Sequence, residues 1–149
     1  CEQRAEAGPQ FACVPQDDGS GRSDIEGNDL PYAAPYSYTV TYSHAFPLIN
    51  GGRITPWIKL HGEGDTHMTE GNFDAIPSLS DKREAYTTVD LSLKYTAPDE
   101  VWFVEAFVQN ATDERFQTYF VGGPSPDVPM FTWNAPRMMG IRAAWNRRP

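Results

Sequence analysis

The sequence predicts an all-β protein, an antiparallel up-and-down meander of about five strands. Three observations predict it. Segments alternating at period two recur from residue 36 to residue 145. The connections between them alternate between tight turns and long loops. The faces divide into aromatic or aliphatic residues on one side and hydroxylic or charged residues on the other, as side chains on a pleated strand do.

Each strand follows from its own alternation. Residues 36–46, "YSYTVTYSHAF", set Tyr36, Tyr38, Val40, Tyr42 and Phe46 on one face, with His44 the exception, against Ser37, Thr39, Thr41, Ser43 and Ala45. The Tyr residues at one end, the Phe at the other and Val40 between them match the aromatic girdles of a membrane barrel better than a soluble sheet. Residues 53–65 set Ile54, Pro56, Ile58 and Leu60 against Arg53, Thr55, Trp57, Lys59, His61, Glu63 and Asp65. Residues 86–96 oppose Val89, Leu91, Leu93 and Tyr95 to Thr88, Asp90, Ser92 and Lys94. A dry environment for Asp90 and Lys94 would cost several kcal/mol each unless they were paired, so this face is expected to be wet. Residues 101–111 place Trp102, Val104, Ala106 and Val108 opposite Phe103, Glu105, Phe107 and Gln109. The last strand, 136–145, places Met139, Ile141, Ala143 and Trp145 opposite Met138, Gly140, Arg142 and Ala144.

"PLINGG" and "APDE" read as tight turns, whereas residues 66–85 and 113–134 are long, rich in Gly, Pro and Asp, and leave the opposite strand ends. Short turns at one end and long loops at the other are the asymmetry of an up-and-down outer-membrane barrel. Residues 1–34 lie at the long-loop end and form an acidic loop segment; residues 35–149 carry the strands.

Composition narrows the partners. Among 149 residues, 20 are acidic and 12 basic, a net charge of -8 that disfavours nucleic acid. Aromatic residues at 13% and hydrophobic residues at 40% argue against general disorder. No run of 18 apolar residues exists, and no charged start leads into a short apolar segment, so neither a transmembrane helix nor an uncleaved signal peptide is expected. A spanning barrel needs only strands of about 9–11 residues. Cys1 and Cys13 bracket a polar loop, and a local disulfide in an oxidising compartment is the preferred reading. Two free thiols or a lipidated Cys1 remain as alternatives.

Laid side by side, "GNDLPYAAPYSYTVTYSHAFPL", "GGRITPWIKLHGEGD", "AYTTVDLSLKYTAPDEVWFVEAFVQNATDERF" and "APRMMGIRAAW" resemble the C-terminal end of TonB-dependent outer-membrane receptors. The resemblance rests on Leu30 to Pro35, on Trp102 through Asp113 and on Ala135 to Gly140, and it runs from about Gly27 onward. It implies the last strands of a 22-stranded barrel with a plugged lumen. It further implies import of a siderophore or other bulky nutrient, with energy delivered through TonB. The partners so implied are the rest of the barrel, the plug, TonB and the lipid bilayer, and the implied location is the bacterial outer membrane. Members of the family usually stop on an aromatic residue, whereas this sequence continues from Trp145 through "NRRP". The alternative expectation is a stand-alone extracellular β-protein derived from such a receptor, self-assembling with copies of itself through open strand edges into oligomers or fibres. A small ligand-binding barrel of lipocalin type is a third.

In the barrel reading Trp57, Lys59, His61, Glu63, Asp65, Glu105, Gln109 and Arg142 face the lumen and are candidates for the ligand path. "KLHGEGDTH" sets His61, Glu63, Asp65 and His67 at every second position, which leaves His61 and His67 as weak candidates for a metal site; a wet wall is the preferred reading. Asp17, Asp18, Asp24, Glu26 and Asp29 lack the oxygen spacing of a calcium-binding loop and read as a solvated acidic segment. Asn110-Ala-Thr is a formal glycosylation sequon but reads as a turn signal. Trp57, Phe116, Tyr119, Phe120, Met130 and Trp133 could touch a ligand or anchor loops. With no nucleophile elbow, phosphate loop or Cys-His pair at working spacing, neither enzymatic activity nor a cofactor is expected.

Overall fold

The computed structural model describes residues 26–72, 80–121 and 130–145. In chain order its strands are β1 (Ser37–Ser43), β2 (Phe46–Pro47), β3 (Arg53–Glu63), β4 (Thr66–His67), β5 (Lys82–Arg83), β6 (Tyr86–Thr96), β7 (Trp102–Gln109), β8 (Gln117–Val121), β9 (Met130–Trp133) and β10 (Met138–Trp145). They fall into two compact units. One is the long meander β1-β3-β6-β7-β10, with β2 also on β3. The other gathers residues 26–36 and the hairpins β4-β5 and β8-β9. The Cys1–Cys13 pairing and Asp17, Asp18 and Asp24 lie outside the described residues.

Every pair in the meander is antiparallel, and the registers keep each face whole. One row reads Tyr42, Ile58, Leu91, Val108, Met139, and a neighbouring row reads Pro56, Leu93, Ala106, Ile141. Directly opposed residues share a face, so the apolar side chains of all five long strands stand on one side. Aromatic residues mark both ends of that face: Tyr38 toward the long connections, and Phe46, Tyr95, Trp102 and Trp145 toward the tight turns. Between them Leu93 is 53% and Ile141 76% exposed, so among the described residues nothing covers these positions as a core would.

The expected strand 36–46 is split into β1 and β2, although both keep the same register on β3. The break at His44–Ala45 has a local cause. His44 N–H donates to the Pro56 carbonyl at 3.4 Å, but Pro56 has no N–H to return, so the ladder loses a bond there.

The two tight turns are built differently. Gly51 N–H donates to Leu48 O and Leu48 N–H to Gly52 O, while Gly51 takes φ 83°, the left-handed position that a three-residue hairpin loop needs. In the second turn Glu100 N–H donates to Ala97 O and Ala97 N–H to Trp102 O, with Pro98 fixing the turn's first corner. Two aromatic rings cover glycines on facing strands. A Cβ on Gly62 would fall 2.5 Å from Tyr38, and one on Gly140 would fall 2.8 Å from Phe107. Tyr38 crosses Gly62 to hydrogen-bond Thr87 at 2.6 Å, joining β1 to β6 over the intervening strand.

Candidate functional site

The polar face of the meander is a charge-paired wall. The register sets Lys94 beside Glu105 and Glu105 beside Arg142. Arg142 Nε donates to Glu105 Oε2 at 2.8 Å, and the Lys94 ammonium stands 4.1 Å from the centre of the Phe103 ring, over its face. One row nearer the long connections, the Arg142 guanidinium lies 5.8 Å from the Phe107 ring. Glu105 is buried although charged, which its charged partner makes tolerable. Next, Lys59 approaches Asp90 at 3.9 Å. Trp57, Glu105, Phe107, Gln109 and Arg142 line an open concavity of about 520 Å³ on this face.

Four of the residues expected on the ligand path, Trp57, Glu105, Gln109 and Arg142, therefore share one concavity. Lys59 pairs with Asp90 beside it. His61 and Glu63 lie at the end of β3, with His61 Nε2 3.6 Å from Glu63 Oε1 and His61 Nδ1 2.9 Å from the Thr39 hydroxyl. Asp65 lies past the end of β3, beside Lys82 at 2.9 Å. That ammonium holds the Asp65 carboxyl below its usual range. His67 is buried in β4. Among the described residues no group of three or more His, Cys, Asp or Glu could hold a metal ion.

At the rim, Asn110 organises the passage from β7 to β10. Its Nδ2 donates to Glu114 O at 2.9 Å and to Ala135 O at 3.1 Å, and its Oδ1 accepts from Glu114 N–H at 2.9 Å. Its own N–H donates to Asp90 at 2.9 Å. Asp113 accepts the Arg137 N–H at 2.9 Å, and the Arg137 guanidinium donates to Ala111 O at 3.4 Å. Asn110 and Asp113 take φ 50° and 55°, a region where Asn and Asp are the best tolerated of the residues bearing a Cβ. The sequon asparagine is thus a turn hub, both of its amide hydrogens already engaged.

In the loop unit, Asp81 is fully buried and accepts from Thr69 N–H at 2.9 Å, from the Thr69 hydroxyl, and from His67 Nδ1 at 3.1 Å. On β8 and β9 the rings of Phe120 and Phe131 pack 5.2 Å apart, while Tyr119, Met130 and Trp133 are exposed. Phe116 N–H donates to the Asn134 side chain at 3.0 Å and Phe116 O accepts the Asn134 N–H at 3.1 Å, closing the base of this hairpin. Phe116, Phe120 and Phe131 therefore build the hairpin, and Tyr119, Met130 and Trp133 are its outward groups.

In fold, the chain is similar to the ferric yersiniabactin uptake receptor FyuA from Yersinia pestis, at a TM-score of 0.66 over 81% of this chain and with 20% sequence identity. The likeness shows the fold. It agrees with the barrel of a TonB-dependent receptor that the sequence resembles, and with the antiparallel meander expected from its alternation. This chain covers 17% of the length of that receptor. No protein-family model and no curated protein sequence matches the chain.

Proposed function

We propose that this chain is the C-terminal barrel sector of a TonB-dependent receptor that imports a siderophore or another bulky nutrient across the bacterial outer membrane. The observation that carries the reading is the unbroken separation of faces through all the registers: exposed apolar rows bounded by aromatic residues on one side, paired charges and a concavity on the other. The first suits lipid and the second a wet lumen. The strand length supports it too. β3 and β6 have 11 residues each, or ~36 Å at about 3.3 Å per residue, which rises ~25 Å at a tilt of about 45°, the height of the apolar band of a barrel.

In this reading the partners are the remaining barrel strands, the plug and TonB. Residues 35–149 supply wall and loops. Trp57, Lys59, His61, Glu63, Asp65, Glu105, Gln109 and Arg142 lie on the ligand path. The work is transport, not catalysis.

Fluorescence quenching tests the assignment of faces. With Cys1 and Cys13 replaced by Ser, a bimane probe is placed by Leu93→Cys, Ile141→Cys, Thr55→Cys or Ser92→Cys in the protein reconstituted into lipid. Brominated lipid is expected to quench the first two and spare the last two; equal quenching at all four positions refutes the reading.

The sheet's flanks favour a second reading, the self-assembling extracellular β-protein. Among the described residues β1 and β10 are edge strands, and alternation through the meander makes them parallel to each other. With the apolar face kept on one side, copies could extend the sheet in antiparallel fashion only through like edges, β1 on β1 or β10 on β10, which is a two-fold contact. The intact mass of reduced, denatured protein from its native source separates the two readings. A species several times heavier than 16.7 kDa supports the receptor, and one of 16.7 kDa supports self-assembly.

A further inference from the structure

The polar wall holds a slot shaped for a flat ring, and we propose that it binds an aryl carboxylate, a planar aromatic ring carrying one anionic group. Its parts come from three adjacent rows of the meander. The middle row reads Trp57, Ser92, Phe107, Gly140, so a large ring, a small hydroxyl, a second large ring and a bare backbone follow one another across four strands. Trp57 and Phe107 are two strands apart, roughly 10 Å between their backbones, with Ser92 as the floor between them. Phe107 leans the other way, over Gly140, where an added Cβ would fall 2.8 Å from its ring. That lean leaves the space above Ser92 open, and all three side chains line the concavity of about 520 Å³. One ring touching both walls needs about 7–8 Å, twice the usual carbon–carbon contact distance, so the slot takes a single ring's thickness.

The two flanking rows supply the polarity, and they differ. On the tight-turn side stand Lys94, Glu105 and Arg142, two cations around one carboxylate. Arg142 gives its Nε–H to Glu105, and the Lys94 ammonium lies over the Phe103 ring. Among the described residues, neither the Lys94 ammonium nor the rest of the Arg142 guanidinium has a hydrogen-bond acceptor. On the long-loop side Asp90 accepts the Asn110 N–H at 2.9 Å and faces Lys59 at 3.9 Å, one carboxylate against one ammonium. The slot therefore has one uncompensated positive charge at one end and a balanced pair at the other.

This distribution selects the ligand. The aromatic walls favour a ring by stacking, and the positive end favours a single carboxylate and sets which way it points. A second anionic group at the other end would meet Asp90. The inference rests on the receptor reading for its biological use: the wall bearing the slot is the one assigned to the ligand path, so the imported nutrient is expected to carry such a ring.

Isothermal titration calorimetry on the protein as its host makes it, solubilised in detergent, tests the slot with naphthoate and its uncharged isostere naphthamide, each corrected for uptake by empty micelles. Naphthoate is expected to bind about ten-fold tighter or more, the discrimination that one charge-assisted hydrogen bond supplies. Lys94→Gln removes one cation, leaves the Arg142–Glu105 pair in place, and should cut that preference several-fold. Ser92→Leu fills the floor and should abolish binding of both probes. Equal affinity for the two probes overturns the proposal, as does a preference unchanged in Lys94→Gln or naphthoate binding that survives Ser92→Leu; if Ser92→Leu fails to fold, Lys94→Gln decides alone. Absence of naphthoate binding in a protein whose bimane probes at positions 55 and 92 are still spared by brominated lipid refutes the slot and leaves the receptor reading standing.

Discussion

Replacing Asn110 by Ala should be among the more damaging single changes in the meander. Its side chain is buried and makes three neutral hydrogen bonds, two to carbonyls and one from the Glu114 N–H. At about 0.5–1.5 kcal/mol net apiece, their loss costs about 2–4 kcal/mol, because each partner is stranded at a part-buried rim. The Cβ that crowds the carbonyl at φ 50° is common to Asn and Ala, so the total stays at about 2–4 kcal/mol. Asn110→Gly loses the same bonds but relieves the Cβ crowding that Asn and Ala share, and should be up to about 1 kcal/mol more stable than Asn110→Ala. Urea unfolding of the lipid-reconstituted protein, followed by tryptophan fluorescence, measures both variants. An Asn110→Ala protein within about 0.5 kcal/mol of wild type would refute the hub, because surface substitutions alone reach that range.

Two further outcomes follow from specific contacts. Gly140→Val drives a Cβ to 2.8 Å from the Phe107 ring and should destabilise by about 1–3 kcal/mol through overpacking, while Gly140→Val combined with Phe107→Ala should lose less than the two changes summed; the same urea titration reads both. Lys82 lowers the folded pKa of Asp65, so this pair stabilises the hairpin above the ordinary carboxylate range and stops doing so as pH falls through the lowered value. Exchange in residues 64–72 should therefore accelerate, relative to intrinsic rates, between pH 5 and pH 3, and Asp65→Asn should remove that acceleration.

The division of faces was legible because period-two alternation needs no knowledge of neighbours. Tyr42, Ile58, Leu91, Val108 and Met139 were each assignable to the apolar side before their common row was known. What alternation cannot supply is register. Glu105 and Arg142 lie 37 residues apart and were read as separate lumen candidates, not as an ion pair. Pro56 was legible as a strand proline, but the loss of a ladder bond at His44 emerges only once the two are paired. The hairpins β4-β5 and β8-β9 escaped because strands of two to five residues are too short to show a period. His67 was read as a possible metal ligand, and its partner Asp81, 14 residues on in "SDKR", carries no local signal.

The motifs that carry the family resemblance have a common physical role in this chain. A meander with tight turns at one end specifies those turns locally, through Gly51 and through Pro98 with Glu100. Long connections have no such local rule, because loop-closure entropy changes slowly with length and favours no particular point of return. The return has to be fixed by side chains reaching backbone groups that the ladder leaves unpaired. Asn110 and Asp113 do this for β10, engaging Ala135 and Arg137 across the whole 113–134 excursion. The Leu30–Ala33 turn plays the corresponding part in the loop unit, with Tyr32 at φ 58° donating to His67 O. Since these contacts are made by residues that flank the loop, the 116–134 hairpin can change in sequence and length while the register of β10 on β7 stays as it is. That decoupling is what a barrel needs if its loops are to differ from one receptor to another while its wall remains closed.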